Sequence, residues 1–147
     1  MQNVFMELIA NRLLQTAVGA LLLAQILKVV FVLVVRKHMD LSLMLSSGGM
    51  PSSHSALVTA LAVGIGRLYG FQSASFAIAT VFSLIVMYDA AGVRRAAGKQ
   101  AEVLNQIVEQ IYPNDGFRRE RLKELIGHTP IEVFGGCLLG VIFALLY

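Results

Sequence analysis

A short polar segment in an otherwise apolar part of the chain carries residue types suited to binding an anion. It reads PSSHS from Pro51 to Ser55 and is followed by a long apolar run. Pro51 suits the first turn of a helix, so Ser52, Ser53 and His54 lie where backbone N–H groups lack helical partners. Hydroxyls, an imidazole and unpaired N–H groups together suit an oxyanion. Helix capping by Ser52 or Ser53, beside an interfacial histidine, explains the same residues.

A second histidine stands at the start of the last apolar run, within the segment GHTPIEVFGG. His128 and Glu132 are four residues apart, so on a helix they share a face and the carboxylate can orient the imidazole. That pairing is typical of a catalytic histidine. However, Thr129 and Glu132 also form a capping-box pattern with proline at the first helical position, which would give Glu132 a structural role.

Basic residues add positive charge near both histidine segments. Arg94 and Arg95 follow the third apolar run, and arginine binds phosphate through its forked N–H donors. Lys28 lies inside the first apolar run, where an ionisable side chain indicates function. It precedes Arg36 by about 12 Å along a helix. Ordinary anchoring of the membrane ends explains the arginines equally well.

The elements that must position these residues are membrane helices. The chain has 147 residues, of which 56% are hydrophobic and 14% charged, with a mean hydropathy of +0.71. Four segments approach the roughly 20 apolar residues needed to cross a bilayer, namely 13–35, 51–70, 71–93 and 129–147. The sequence therefore predicts one all-α domain over residues 1–147, an integral membrane bundle of about four transmembrane helices.

Charge distribution predicts the orientation of this bundle. Nine of the 12 lysine and arginine residues fall on the face that also carries both histidine segments, which the positive-inside rule assigns to the cytoplasm. We therefore expect a multi-pass cell-membrane protein with a cytoplasmic site. The net charge of +3 is too small to indicate nucleic-acid binding. The single cysteine, Cys137, excludes an intrachain disulfide and a cysteine metal cluster.

Between the third and fourth predicted spans, residues 96–127 become polar. Leu104, Ile107, Val108 and Ile111 follow helical spacing, so an amphipathic helix is expected there, followed by turn residues and a second short basic helix over 117–126. This amphipathic hairpin is either a surface element packed on the bundle or a basic lid that attracts anionic lipid.

Together these segments resemble a known family. Pro51 to Ser55 is similar to the PSGHS motif of the type 2 phosphatidic acid phosphatases, and HTPIEV from His128 looks like their HxPxDV element. With YDAAGVRR from Tyr88, the combination most resembles the divergent branch of that superfamily, small membrane proteins related to acid phosphatases and vanadium haloperoxidases. The resemblance extends from Lys28 to the C-terminal end.

The resemblance implies a metal-independent phosphatase with a phosphohistidine intermediate and no cofactor. By position, His128 would be the nucleophile, Glu132 would orient it, and His54 would protonate the leaving oxygen. The implied substrate is a lipid phosphate or diphosphate among the membrane lipids, and a homodimer is a further expectation. The residues implied in phosphate binding are Lys28, Arg36, Ser52, Ser53, Arg94 and Arg95, and Asp89 is an accessory candidate.

Two departures from the family pattern support an alternative function. Val35 stands where the family usually has arginine, with Arg36 one residue later, and Ser53 replaces the glycine of the first motif. One residue turns a helical side chain by about 100°. The alternative is a catalytically inactive membrane protein that binds, transports or assembles around lipid phosphates.

Overall fold

The computed structural model describes residues 4–36, 49–111, 121–122 and 127–147. Within these ranges the regular structure is entirely helical. The helices, in chain order, are α1 Val4–Ala10, α2 Arg12–Arg36, α3 Ser53–Tyr69, α4 Ala74–Ala91, α5 Val93–Ile111 and α6 Pro130–Leu146. The predicted all-α class is therefore confirmed, and the amphipathic helix expected after the third apolar run is present as α5. The short helix predicted over 117–126 lies outside the described residues, apart from positions 121 and 122.

Hydroxyl side chains fix the starts of three helices. Ser52, Ser73 and Thr129 precede α3, α4 and α6, and each side chain accepts a hydrogen bond from the backbone N–H three residues later. Such caps satisfy one of the N–H groups that a helix start leaves unpaired. The capping roles considered for Ser52 and Thr129 are thus realised.

Small side chains make the core of the bundle. α3 packs against α2, α4 and α6. The fully buried residues at its centre are alanines contributed by α2, α3 and α6, namely Ala20, Ala24, Ala56, Ala60 and Ala144. Small residues allow helix backbones to approach closely, which is how helices associate where lipid removes the hydrophobic driving force.

The backbones of α3 and α6 approach each other closely. A Cβ atom at Gly140 would lie 2.5 Å from the Ala56 carbonyl oxygen and 3.0 Å from the Ala60 nitrogen, and one at Gly136 would collide with the Ser52 carbonyl oxygen. Both obstacles are backbone atoms, which cannot move aside as a side chain does. Gly136 and Gly140, two small residues four positions apart in the last apolar run, therefore serve helix packing.

The number of full-length membrane spans is smaller than predicted. Two helical stretches are long and apolar enough to cross a membrane, Arg12–Val34 and Ala74–Ile111, in the part of the chain described. α3 and α6 have 17 residues each, or about 25 Å, against a hydrocarbon core of about 30 Å. The predicted count of four was wrong because it included Pro51, Ser52 and Thr129, which precede the helices. A membrane helical bundle still fits the structure.

The contact between α3 and α6 predicts that alanine substitutions at Gly140 and Gly135, both on α6, differ in their effect on stability. Gly140→Ala should lower stability by about 1–3 kcal/mol, since the new methyl group meets the α3 backbone. Gly135→Ala should be neutral or stabilising by up to about 1 kcal/mol, because its Cβ meets the flexible end of Met50 at 3.2 Å and alanine favours a helix. Thermal unfolding in detergent measures both. Equal melting temperatures for the two variants would contradict this packing.

Candidate functional site

Two backbone hydrogen bonds hold both histidine segments at one end of the bundle. The Ser52 N–H donates to the Glu132 carbonyl oxygen at 3.0 Å, which joins the start of α3 to the first turn of α6. The His128 N–H donates to the Ala90 carbonyl oxygen, also at 3.0 Å, which joins the segment before α6 to the end of α4. Three helices therefore position the side chains around His128.

Gly127 makes this attachment possible, and the sequence prediction missed it. Its φ of +109° lies in the left-handed region that favours glycine. A Cβ atom there would lie 2.5 Å from the Arg95 nitrogen and 2.8 Å from the Arg94 carbonyl carbon. The chain therefore passes against the backbone of α5 immediately before His128. The only sequence signal was a glycine directly preceding a histidine.

His128 is held by the carboxylate predicted to orient it. Its side chain is 3% exposed, and Nδ1 lies 3.1 Å from the Glu132 Oε2. The same oxygen accepts the Thr129 N–H at 3.0 Å, which completes the capping box. Glu132 thus contacts the imidazole and also caps α6, so the two explanations of the sequence pattern are compatible in geometry.

The bond to Glu132 determines which ring nitrogen can react. Since a carboxylate accepts hydrogen bonds, we assign the proton to Nδ1, which leaves Nε2 with a lone pair. Nε2 of His128 is buried and has no hydrogen-bond partner among the described residues. A buried polar atom without a partner is costly, so this nitrogen is a candidate for contact with a ligand.

Burial lowers the pKa of His128 below the ordinary histidine value of about 6.5. The hydrogen bond and negative charge of Glu132 act in the opposite direction and raise it, while the charges of Lys28 and His54 lower it further. The net effect keeps the imidazole neutral at pH 7. A neutral imidazole has the Nε2 lone pair that a nucleophile requires.

A small pocket brings several predicted residues together. Its volume is about 20 Å³, and it is lined by His54, Val86, Asp89, Ala90, Arg94 and His128. That volume is of the order of one water molecule. A phosphoryl group would therefore enter only if side chains at its edge, such as the exposed His54 and Arg94, moved aside.

Arg94 and Asp89 form an ion pair at this pocket. The Arg94 Nε donates to the Asp89 Oδ2 at 2.6 Å, and the two side chains are 50% and 38% exposed. An exposed pair contributes little to stability, about 0–1 kcal/mol, so Arg94 can exchange this partner for an anion at small cost. Arg95 is exposed in the first turn of α5 and does not line the pocket.

Lys28 is a buried cation beside this group. It is 1% exposed, and within the described ranges its Nζ has no hydrogen-bond partner. Gly49, with φ of +95°, passes over the lysine stem, because a Cβ atom there would lie 3.3 Å from the Lys28 Cδ. The positive charge of Lys28 acts on both His54 and His128. The structure therefore brings Lys28 to the same end of the bundle as the histidines.

Two other residues predicted to bind phosphate, Ser52 and Ser53, do not line the pocket. Ser52 is fully buried, and its Oγ accepts hydrogen bonds from the Ser55 N–H at 3.4 Å and the Ser55 hydroxyl at 3.0 Å. Ser53 is buried at the start of α3. Arg36 ends α2, and its side chain lies outside the described part of the chain. Phosphate binding by these residues stays a prediction.

The described residues contain no group of three or more histidine, cysteine, aspartate or glutamate side chains arranged to hold a metal ion. The polar groups that converge here are two imidazoles, a guanidinium paired with a carboxylate, and a nearby ammonium. This set combines an imidazole lone pair with positive charge, which suits the binding of an anionic group.

Comparison with known proteins identifies a family model and a related protein. Residues 9–143 match the family model described as the divergent PAP2 family. The chain is 43% identical to "Uncharacterized membrane protein YuiD" of Bacillus subtilis (strain 168), over 95% of this chain and 96% of that protein. No solved structure matches the chain.

The contact between Glu132 and His128 makes the titration of His128 testable. Because the carboxylate stabilises the imidazolium, Glu132→Gln should move the pKa of His128 to a still lower value. Thr129→Ala removes the capping hydroxyl but retains the carboxylate, so it should leave that pKa in place. NMR titration of histidine-labelled protein in micelles measures both. An unchanged or raised pKa in Glu132→Gln would show that the carboxylate does not act on the ring.

Proposed function

Because the chain belongs to the divergent PAP2 family, we propose that it is a membrane lipid phosphatase that hydrolyses a lipid phosphate or diphosphate. The observation that carries this proposal is the His128 Nε2, which is buried and lacks a partner among the described residues. Glu132 orients the ring from its other nitrogen. His54 and Arg94 line the same pocket.

In the first proposed step, the Nε2 of His128 attacks phosphorus, and a P–N bond forms as the P–O bond to the lipid breaks. His54, in its protonated form, gives its proton to the departing oxygen. In the second step the neutral His54 takes a proton from water, whose oxygen attacks phosphorus and displaces His128. One water is consumed, and phosphate and the dephosphorylated lipid leave. Acid–base catalysis of this kind contributes about 10²–10⁴-fold.

Positive charge stabilises the transition state of both steps. Phosphoryl transfer proceeds through a loose transition state whose charge is spread over the non-bridging oxygens, so positioning and electrostatic stabilisation dominate catalysis. Lys28 and Arg94 supply that charge: the lysine is buried, and the arginine is exposed and able to leave Asp89. A buried ammonium interacts more strongly with an anion than an exposed one does.

The proposed location is the cell membrane, with several passes and the site facing the cytoplasm. The support is that the Bacillus relative is named a membrane protein, together with the two stretches of this chain long enough to cross a bilayer. The excess of lysine and arginine on the histidine-bearing side favours the cytoplasmic orientation.

Phosphatidic acid, phosphatidylglycerophosphate and polyprenyl phosphates or diphosphates are the candidate substrates.

A second candidate function is binding of a lipid phosphate without hydrolysis. It is favoured by Ser53, which puts a buried side chain at the glycine position of the family motif, and by the 20 Å³ volume of the pocket. A pocket of that size binds an intact phosphate only at its edge. Tight binding without release of phosphate would identify this function.

The histidine roles predict a graded loss of activity. Purified protein should release phosphate from the lipids named above. His128→Ala should reduce the rate by about 10³-fold or more, since removing a nucleophile abolishes the covalent route. His54→Ala should reduce it by about 10²–10⁴-fold, and Gln100→Ala, at an exposed position of α5, should leave it unchanged. Equal rates in all of the proteins would reject the mechanism.

Replacing the buried ammonium of Lys28 is predicted to raise stability and to lower activity. Lys28→Met should stabilise the protein by about 1–4 kcal/mol, because it removes a buried charge whose Nζ has no hydrogen-bond partner in the described ranges. It should also lower kcat/KM by about 10²–10³-fold through lost transition-state stabilisation. Lys99→Met, at an exposed position of α5, should change neither value strongly. A less stable Lys28→Met protein with full turnover would assign the lysine a structural role instead.

A further inference from the structure

An apolar groove runs along the outside of the bundle between α2 and α6. Its volume is about 540 Å³, within the range of small-molecule sites. On α2 it is lined by Leu27, Val30, Phe31 and Val34, which share one face of the helix. Each of these side chains is at least 39% exposed, so no part of the described chain covers that face.

The groove ends beside the candidate site. Met50 and Pro51 line it at that end, and the next residue, Ser52, is the one whose N–H bonds to the first turn of α6. On α2 the lining residue Leu27 directly precedes Lys28. On α6 the groove begins at Gly135, where the absence of a side chain leaves the space occupied by the end of Met50.

We propose that this groove holds one hydrocarbon chain of the lipid substrate, so that the lipid enters sideways from the bilayer with its phosphate directed toward Lys28 and His128. This inference rests on the proposed function. The continuity of the groove with the site at Met50 and Pro51 favours a lipid over other occupants. A tail bound there stays in the apolar layer while its headgroup reaches the polar end of the bundle.

The groove acts by aligning the hydrocarbon chain of the lipid with the site. A hydrocarbon tail gains little free energy on moving from lipid into an apolar groove, because both surroundings are equally apolar. On α6 the lining residues Gly135 and Ile142 are seven residues apart, so the groove runs about 10 Å along the helix away from the site, roughly a third of the hydrocarbon core. The groove therefore guides the part of the tail nearest the phosphate and leaves the rest in the bilayer. Long tails of different lengths should be accepted alike.

A matched pair of tryptophan variants on α6 tests this role. Leu138 lines the groove and is 51% exposed, whereas Leu145 lies outside it and is 54% exposed. Leu138→Trp should lower kcat/KM for hexadecyl phosphate at least 10-fold and change that for butyl phosphate less than twofold. Leu145→Trp should leave both values within twofold of the original protein. Binding of hexadecyl phosphate to His128→Ala protein should weaken in parallel when Leu138→Trp is added.

The outcomes separate this inference from the proposed function. Hydrolysis of neither phosphate by the original protein would reject the phosphatase, and the binding measurement would still decide the groove. Equal effects of Leu138→Trp on the two phosphates, or unchanged hexadecyl phosphate binding, would overturn the groove assignment. A change of oligomeric state on Leu138→Trp without a chain-length effect would also overturn it and assign the groove to a second copy of the chain.

Discussion

The close contact between the backbones of α3 and α6 is the constraint on which the site depends. Gly136 and Gly140 allow that contact, since any side chain there would meet backbone atoms of α3 or of its cap. With the two helices at this distance, the Ser52 N–H reaches the Glu132 carbonyl oxygen. The first turns of both helices are then in register, and their histidines stand at the same end of the bundle. Looser packing of α3 against α6 would separate the two imidazoles.

The carboxylates of the site do not pair directly with its buried ammonium, which suits an anionic ligand. Glu132 is committed to the His128 ring and to the cap of α6, so it compensates Lys28 only from a distance. Asp89 is committed to Arg94 at the exposed edge. The buried ammonium and the Nε2 of His128 therefore both lack hydrogen-bond partners among the described residues. In the proposed function, a phosphate group would supply negative charge to the ammonium and an electrophilic phosphorus to the Nε2 lone pair.

Sequence reasoning predicted the contact between His128 and Glu132 better than it predicted the ends of the helices. The pairing of His128 with Glu132 was predictable because a four-residue spacing fixes a shared helical face. The number of spans was not, because caps such as Ser52 and Thr129 shorten α3 and α6 at their starts. The role of Gly127 was hidden as well. Its constraint comes from the backbone of Arg94 and Arg95, more than 30 positions away in the chain.

The sequence by itself determined the all-helical membrane character, the two histidine-bearing helix starts and the place of Lys28 within an apolar run, because hydrophobic runs and local spacing encode these directly. Tertiary structure alone decided that Arg94, and not Arg95, lines the pocket, and that Asp89 is its partner. It also decided that Ser52 turns its hydroxyl inward and that the groove opens between α2 and α6. These features depend on how helices distant in the chain rotate against one another, which no local pattern specifies.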